Sequence, residues 1–185
     1  MIHLVSHYYP LDSWREKFAS LTLAHNESVA KKHGWTFTGD MDRHAPGHNV
    51  LREKAAILCE VIAKGFDEDL ILWVDGDAVI LTPSPEDIFV AMGSADMAMA
   101  KDHRGEWNSG TCAFRCSDEA LAGWHKVMID KSHGDMWHDY PKGLDIAELG
   151  ASWNDQRLHD DTRILHTYGT NGILKYKLIK EALSG

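Results

Sequence analysis

Residues 69–85 read DLILWVDGDAVILTPSP. Within them LILWV (70–74) is an uninterrupted apolar run of strand length, the pattern of a parallel strand buried on both faces. Such a strand needs helices over both sides of its sheet, which points to an α/β architecture. The acidic triplet Asp75-Gly76-Asp77 interrupts the run, and AVIL (78–81) resumes it ahead of Pro83 and Pro85.

The flanking segments alternate in the same sense. Upstream, IHLVSHYY (2–9) reads as an opening buried strand that ends at Pro10. Asp12 or Ser13 can cap a helix over 13–33, where Trp14, Phe18, Leu21 and Val29 recur at helical spacing and Gly34 closes it. WTFTG (35–39) reads as a second strand, 40–48 as a polar loop, and 49–65 as an amphipathic helix stopped by Gly65. Downstream, PEDIF (85–89) fits one helical turn, ADMAMA (95–100) and TCAFR (111–115) fit strands, and 117–131 fits a helix with an acidic first turn. Residues 132–152 show no period and read as a long loop, a lid or an acceptor-binding wall. NDQRLHDD (154–161) is expected to form a short helix, RILHTY (163–168) a last strand, and 171–185 a helical tail. The predicted fold is α/β with a mostly parallel central sheet flanked by helices.

Length and composition narrow the function classes. At 185 residues the chain is expected to be one domain, 1–185, with 44% hydrophobic and 25% charged residues, which excludes wholesale disorder. No apolar run approaches the roughly 20 residues of a membrane span, and no signal-peptide pattern opens the chain. Three cysteines are too few for a disulfide framework, so a cytoplasmic location is expected. The net charge of −9 disfavours non-specific nucleic-acid binding and suits divalent-metal sites. Most of the twelve scattered histidines read as surface residues.

The chemistry concentrates at Asp75-Gly76-Asp77. The end of a buried parallel strand opens onto the crevice where α/β sheets bind ligands. A turn at Gly76 can bring both carboxylates to one point, where they would suit Mg²⁺ or Mn²⁺ bound with a diphosphate. The same residues also fit an ordinary Asp-Gly turn joining 70–74 and 78–81 as a hairpin.

Four short motifs in order carry a resemblance: the apolar strand into D-x-D, Asn108-Ser109-Gly110, the pair Asp155-Gln156, and His166-Thr167-Tyr168-Gly169. Over roughly residues 2–175 the sequence resembles the GT-A nucleotide-sugar glycosyltransferases, a Rossmann-like fold. The likeness is to their retaining branch, the glycogenin-like enzymes and the yeast mannan and plant xyloglucan galactosyltransferase types.

The resemblance implies the following roles. Asp75, Asp77 and His166 would hold the metal, with Asp75 and Gly76 also against the donor. Gly169, and Gly172 after it, would let the backbone approach phosphate. Where the family often has Lys-Pro-Trp, this chain has Gly172-Ile173-Leu174-Lys175, so Lys175 is the cation that stretch offers. Lys54, with Arg52 beside it, would reach the donor from the preceding helix. Asn108, Ser109 and Gly110 would line the sugar site, and Asp155 and Gln156 would lie beneath the transferred sugar. Ser6, His7 and Tyr8 would meet the nucleotide.

The implied reaction is metal-dependent transfer of a sugar from a nucleotide-diphosphate donor to an acceptor hydroxyl. The acceptor is open between a glycan, a protein, a small molecule and a modified nucleobase. Retention is expected, and inversion would need a base from Asp135, Asp139 or Asp155. His166 must be neutral to ligate, so activity should decline below about pH 6.5. Two other readings stand beside this one. A sugar-phosphate nucleotidyltransferase would carry a Gly-rich loop after the first strand, where this chain has HYYPLDSW. A binding domain without turnover would use its tryptophans, Trp107, Trp137 and Trp153 among them, to stack on sugars. The chain is near the minimum size for the fold, so its acceptor wall is expected to be short and open to completion by a second subunit of a homo-oligomer.

Overall fold

The computed structural model describes residues 1–8, 13–41, 50–65, 69–129, 140–168 and 170–184, with backbone only at 15, 40–41 and 50–52. Asp12, the side chain of Arg52, Asp135, Trp137, Asp139, Gly169 and most of the expected 40–48 loop lie outside the described residues.

The chain runs β1 (Ile2–Tyr8), α1 (Ser13–His33), β2 (Thr36–Met41), α2 (Val50–Lys64), β3 (Leu70–Val74), β4 (Ala78–Ile80), α3 (Asp87–Met92), β5 (Met97–Lys101) and β6 (Trp107–Arg115). It continues with α4 (Asp118–Ile129), β7 (Ile146–Leu149), a 3₁₀ turn (Ala151–Trp153), β8 (Ile164–His166) and α5 (Gly172–Ala182). Six strands form the central sheet in the order β2-β1-β3-β6-β5-β7. β6 is antiparallel to both neighbours, and the other five strands share one direction.

Burial explains why β3 is apolar throughout. Ile71, Leu72, Trp73 and Val74 are all buried, with alternate residues entering opposite layers. Leu72 and Val74 pack with Ala30 of α1 and Ile88, Phe89 and Met92 of α3. Ile71 and Trp73 pack with Ala55, Leu58 and Ile62 of α2 and Ala120 and Trp124 of α4. Truncating a residue such as Leu72 to Ala would cost about 2–5 kcal/mol. Helix starts follow capping chemistry: Ala120 N–H donates to Ser117 Oγ at 3.1 Å, and Leu174 N–H donates to Asn171 Oδ1 at 3.0 Å.

The structure corrects four local expectations. The 70–74 and 78–81 segments do not pair as a hairpin: β3 pairs with β1 and β6, while β4 pairs antiparallel with β8 in a separate two-stranded sheet. The strand expected over 111–115 begins earlier, at Trp107, so Asn108-Ser109-Gly110 lies inside β6. Residues 154–161 are not helical, because the Asp155 backbone is drawn into a bridge with Leu165 of β8. The aperiodic 132–152 segment contains β7, an edge strand too short to show alternation, running parallel to β5.

Candidate metal centre

The site begins where β3 ends. Asp75 N–H donates to Gly110 O at 2.8 Å, Gly76 N–H to His7 O at 2.9 Å, and Ala78 N–H back to Asp75 O at 2.9 Å. The Thr22 hydroxyl donates to Gly76 O. Together these bonds fold the triplet into a tight turn that leaves the main sheet. Position 76 needs glycine because of this close approach: a Cβ there would fall 2.2 Å from Tyr8 Cβ and 2.9 Å from His7 O.

The small second sheet supplies the third side chain. Ala78 pairs with His166, and the Asp77 carbonyl accepts from Thr167 N–H at 3.1 Å and from its hydroxyl at 3.0 Å. This register sets the imidazole of His166 beside both acids. Asp75, Asp77 and His166 offer ligand atoms within 4.8 Å of one another. His166 Nε2 stands 3.3 Å from Asp77 Oδ1 and 3.6 Å from Asp75 Oδ2.

Two buried lysines flank the acids. Lys54, 7% exposed, donates to Ser109 O, lies 3.5 Å from Asp75 Oδ1 and sits 4.7 Å above the Trp73 ring. The Trp73 indole N–H donates to the same Asp75 Oδ1 at 2.6 Å. Lys175, 8% exposed, donates to Asp77 Oδ2 over the Phe18 ring. Burial pushes the Asp77 carboxyl up. The His166 ring and the Lys175 ammonium beside it outweigh that and hold it well below the usual carboxylate range.

His166 is held on several sides. Its Nδ1 lies 2.8 Å from Asn154 Oδ1, and the Tyr168 ring is centred 4.8 Å from its own. Gly110 packs so closely that a Cβ would fall 1.9 Å from His166 Cε1. Among the described residues, Nε2 is a buried nitrogen without a hydrogen-bond partner. Such an atom facing two carboxylates fits a cation ligand. The two spacings from Nε2, 3.3 and 3.6 Å, also fit pairs of ligands on one ion with bonds of about 2.0–2.2 Å. Two carboxylate oxygens and one imidazole nitrogen form a donor set that could hold a divalent cation.

The other expected residues gather around this centre to different degrees. Asn108 is buried, and its Oδ1 accepts from Gly110 N–H at 2.9 Å. Ser109 is buried with its carbonyl on Lys54. Asp155 Oδ2 accepts from Thr162 Oγ1 at 3.0 Å, and Gln156 Nε2 donates to Tyr168 O at 3.1 Å. At the end of β1, Ser6 is fully buried, His7 gives its carbonyl to Gly76, and the Tyr8 ring meets Phe18 at 5.0 Å. Sequence reasoning missed Trp73, Asn154 and Thr167 as site residues. Trp73 is hidden in an apolar run, and Asn154 opens a stretch that reads as a short helix.

No protein-family model and no curated protein matches the sequence. Solved structures do match the fold. The glycosyltransferase involved in glycosylation of the major capsid of PBCV-1 aligns over 97% of this chain and 98% of its own, with TM-score 0.72 and 13% identity. An active-site mutant of LgtC aligns over 98% of this chain and 95% of its own, with TM-score 0.55 and 11% identity. The glycosyltransferase GlyE of Streptococcus pneumoniae aligns over 99% of this chain, with TM-score 0.54 and 10% identity, and the chain spans 63% of its length. The fold is therefore that of the GT-A glycosyltransferases. No helix among the described residues is long and apolar enough to cross a membrane.

Proposed function

We propose that the chain is a metal-dependent glycosyltransferase that moves a sugar from a nucleotide-diphosphate donor to an acceptor hydroxyl with retention. The observation that carries this reading is the convergence of Asp75, Asp77 and His166, from two different sheets, at the carboxyl end of β3. The GT-A fold supports it. A cytoplasmic setting fits the free cysteines Cys59, Cys112 and Cys116.

Asp75 Oδ2, Asp77 Oδ1 and His166 Nε2 would hold Mn²⁺ or Mg²⁺. When bound, the ion supplies Lewis-acid neutralisation of the charge gathering on a departing diphosphate. Lys54 and Lys175, already at the acids, would donate to the same phosphate oxygens. Losing one donor of this kind costs about 2.7–4 kcal/mol of barrier. Asn108, Asp155 and Gln156 would orient the transferred sugar, and His7 and Tyr8 at the end of β1 would meet the nucleotide. In the retaining course the acceptor's proton passes to the diphosphate oxygen that leaves the sugar, so the protein need not supply a carboxylate base.

A panel of nucleotide sugars with and without Mn²⁺ tests the proposal, read as released nucleoside diphosphate and as thermal stabilisation. The wild-type chain should release diphosphate from at least one donor only with metal. Asp75→Ala and Asp77→Ala should lose both signals and keep the fold. Saturable donor binding without release would replace the enzyme reading by the binding-domain one. An undiminished metal-dependent shift in both variants would remove the metal site.

A further inference from the structure

We propose that Asn154 is a positioning residue that fixes His166 in the tautomer protonated at Nδ1, aiming a bare Nε2 lone pair at Asp75 and Asp77. This assignment rests on the metal-site reading above. Asn154 is 5% exposed and closes the 3₁₀ turn, its N–H donating to Ala151 O at 2.9 Å. The next residue grips β8 twice: Asp155 N–H donates to Ile164 O at 2.9 Å, and His166 N–H donates to Asp155 O at 2.7 Å. That backbone bridge carries Asn154 Oδ1 to within 2.8 Å of His166 Nδ1.

A carbonyl oxygen only accepts, so Nδ1 must carry the proton and a neutral ring leaves Nε2 bare. The ring has little room to turn, with Gly110 against Cε1 and Tyr168 beside its plane. The amide is costly where it stands: Asn154 Nδ2 is buried without a partner among the described residues. An apolar side chain of the same size would avoid that cost, so what the position gains is the accepting oxygen. A rotated amide would place NH₂ on Nδ1 and turn Nε2 into an N–H donor toward Asp77. The two arrangements give opposite tautomers, which makes the assignment measurable.

Two variants and two readouts test it. ¹⁵N NMR of the imidazole in the metal-free protein at alkaline pH reports the tautomer, and EPR of free Mn²⁺ reports affinity without any turnover. Wild type should show the proton on Nδ1. Asn154→Asp keeps the acceptor and should keep both this signature and Mn²⁺ affinity within a few-fold. Asn154→Leu should mix the tautomers and weaken Mn²⁺ binding about 10–100-fold. A purely structural role predicts the opposite ranking, since Asp adds a buried charge where Leu does not. A wild-type proton on Nε2, or full Mn²⁺ affinity in Asn154→Leu, would overturn the assignment. Should Asn154→Leu fail to fold, the wild-type spectrum and Asn154→Asp still decide. A wild-type chain that binds no Mn²⁺ would overturn the metal reading, while the tautomer spectra would still settle the role of Asn154.

Discussion

The backbone of Gly110 lies directly against the imidazole of His166, with room for a hydrogen and not for a methyl. An added Cβ would stand 1.9 Å from Cε1, 2.5 Å from Nδ1 and 2.9 Å from Asn108 Oδ1. The absent side chain at 110 therefore lets an imidazole carried by another sheet sit beside the two acids.

Gly110→Ala should be damaging at this buried strand position. Overpacking of this kind costs about 1–3 kcal/mol of stability, and the displaced ring should also lose its aim at the acids. Urea melts and Mn²⁺ titrations on the same sample check both effects. An alanine variant with wild-type stability and affinity would mean that the ring moves freely.

Lys175→Met should expose the strain of a buried carboxylate with one partner gone. Asp77 has a depressed pKa in the folded chain, held down against burial by His166 and Lys175. Its contribution is fully present above the unfolded value near 3.8 and is lost as pH falls through the lower folded value. Without Lys175 the folded pKa rises, so acid unfolding should begin at higher pH, and stability at neutral pH should drop by about 3–5 kcal/mol. Tryptophan fluorescence followed through an acid titration would show the displaced midpoint. Superimposable curves for variant and wild type would contradict it.

Trp73→Phe keeps a ring beneath Lys54 and deletes the indole N–H that donates to Asp75 Oδ1 at 2.6 Å. The freed carboxylate can then rotate away from His166. Mn²⁺ affinity by calorimetry should weaken about 10–100-fold, with a far smaller effect on folding. Unchanged calorimetric affinity would show that Lys54 alone orients the acid.

Cys112 is fully buried, and burial, opposed by Lys54 and reinforced by Asp75, pushes its thiol up to about 12. A raised folded pKa means stability that is complete below the unfolded value near 9.0 and is lost as pH rises toward 12. Cys112→Ala should flatten the fall of the urea midpoint across that alkaline window. Cys112 should also resist alkylation at pH 8 until the protein unfolds, read by mass spectrometry of the native and denatured chain.

Strand β3 and its acidic turn were legible because burial on both faces leaves an uninterrupted apolar signature. His166 was reachable only through the order of motifs: nothing in local periodicity records that β4 pairs with β8. Asn108 and Gly110 are poor strand formers by composition. They sit in β6 because the pairing of Val74 with Thr111 and close packing at His166 override that preference. Asn154 and Asp155 open the stretch 154–161 expected to be a helix. Their side chains are instead engaged by His166 and Thr162. Trp73 looked like core and is core, yet its polar edge also serves the site.

The pairing of β4 with β8 sets the order in which the centre can come into being. All six strands of the main sheet are encoded by residue 149, whereas the imidazole at 166 and the ammonium at 175 come later. A nascent chain emerging from the ribosome thus carries its aspartates for a long stretch of synthesis with no imidazole to join them. A cation that needs all three groups would have to wait until residue 166 has been made.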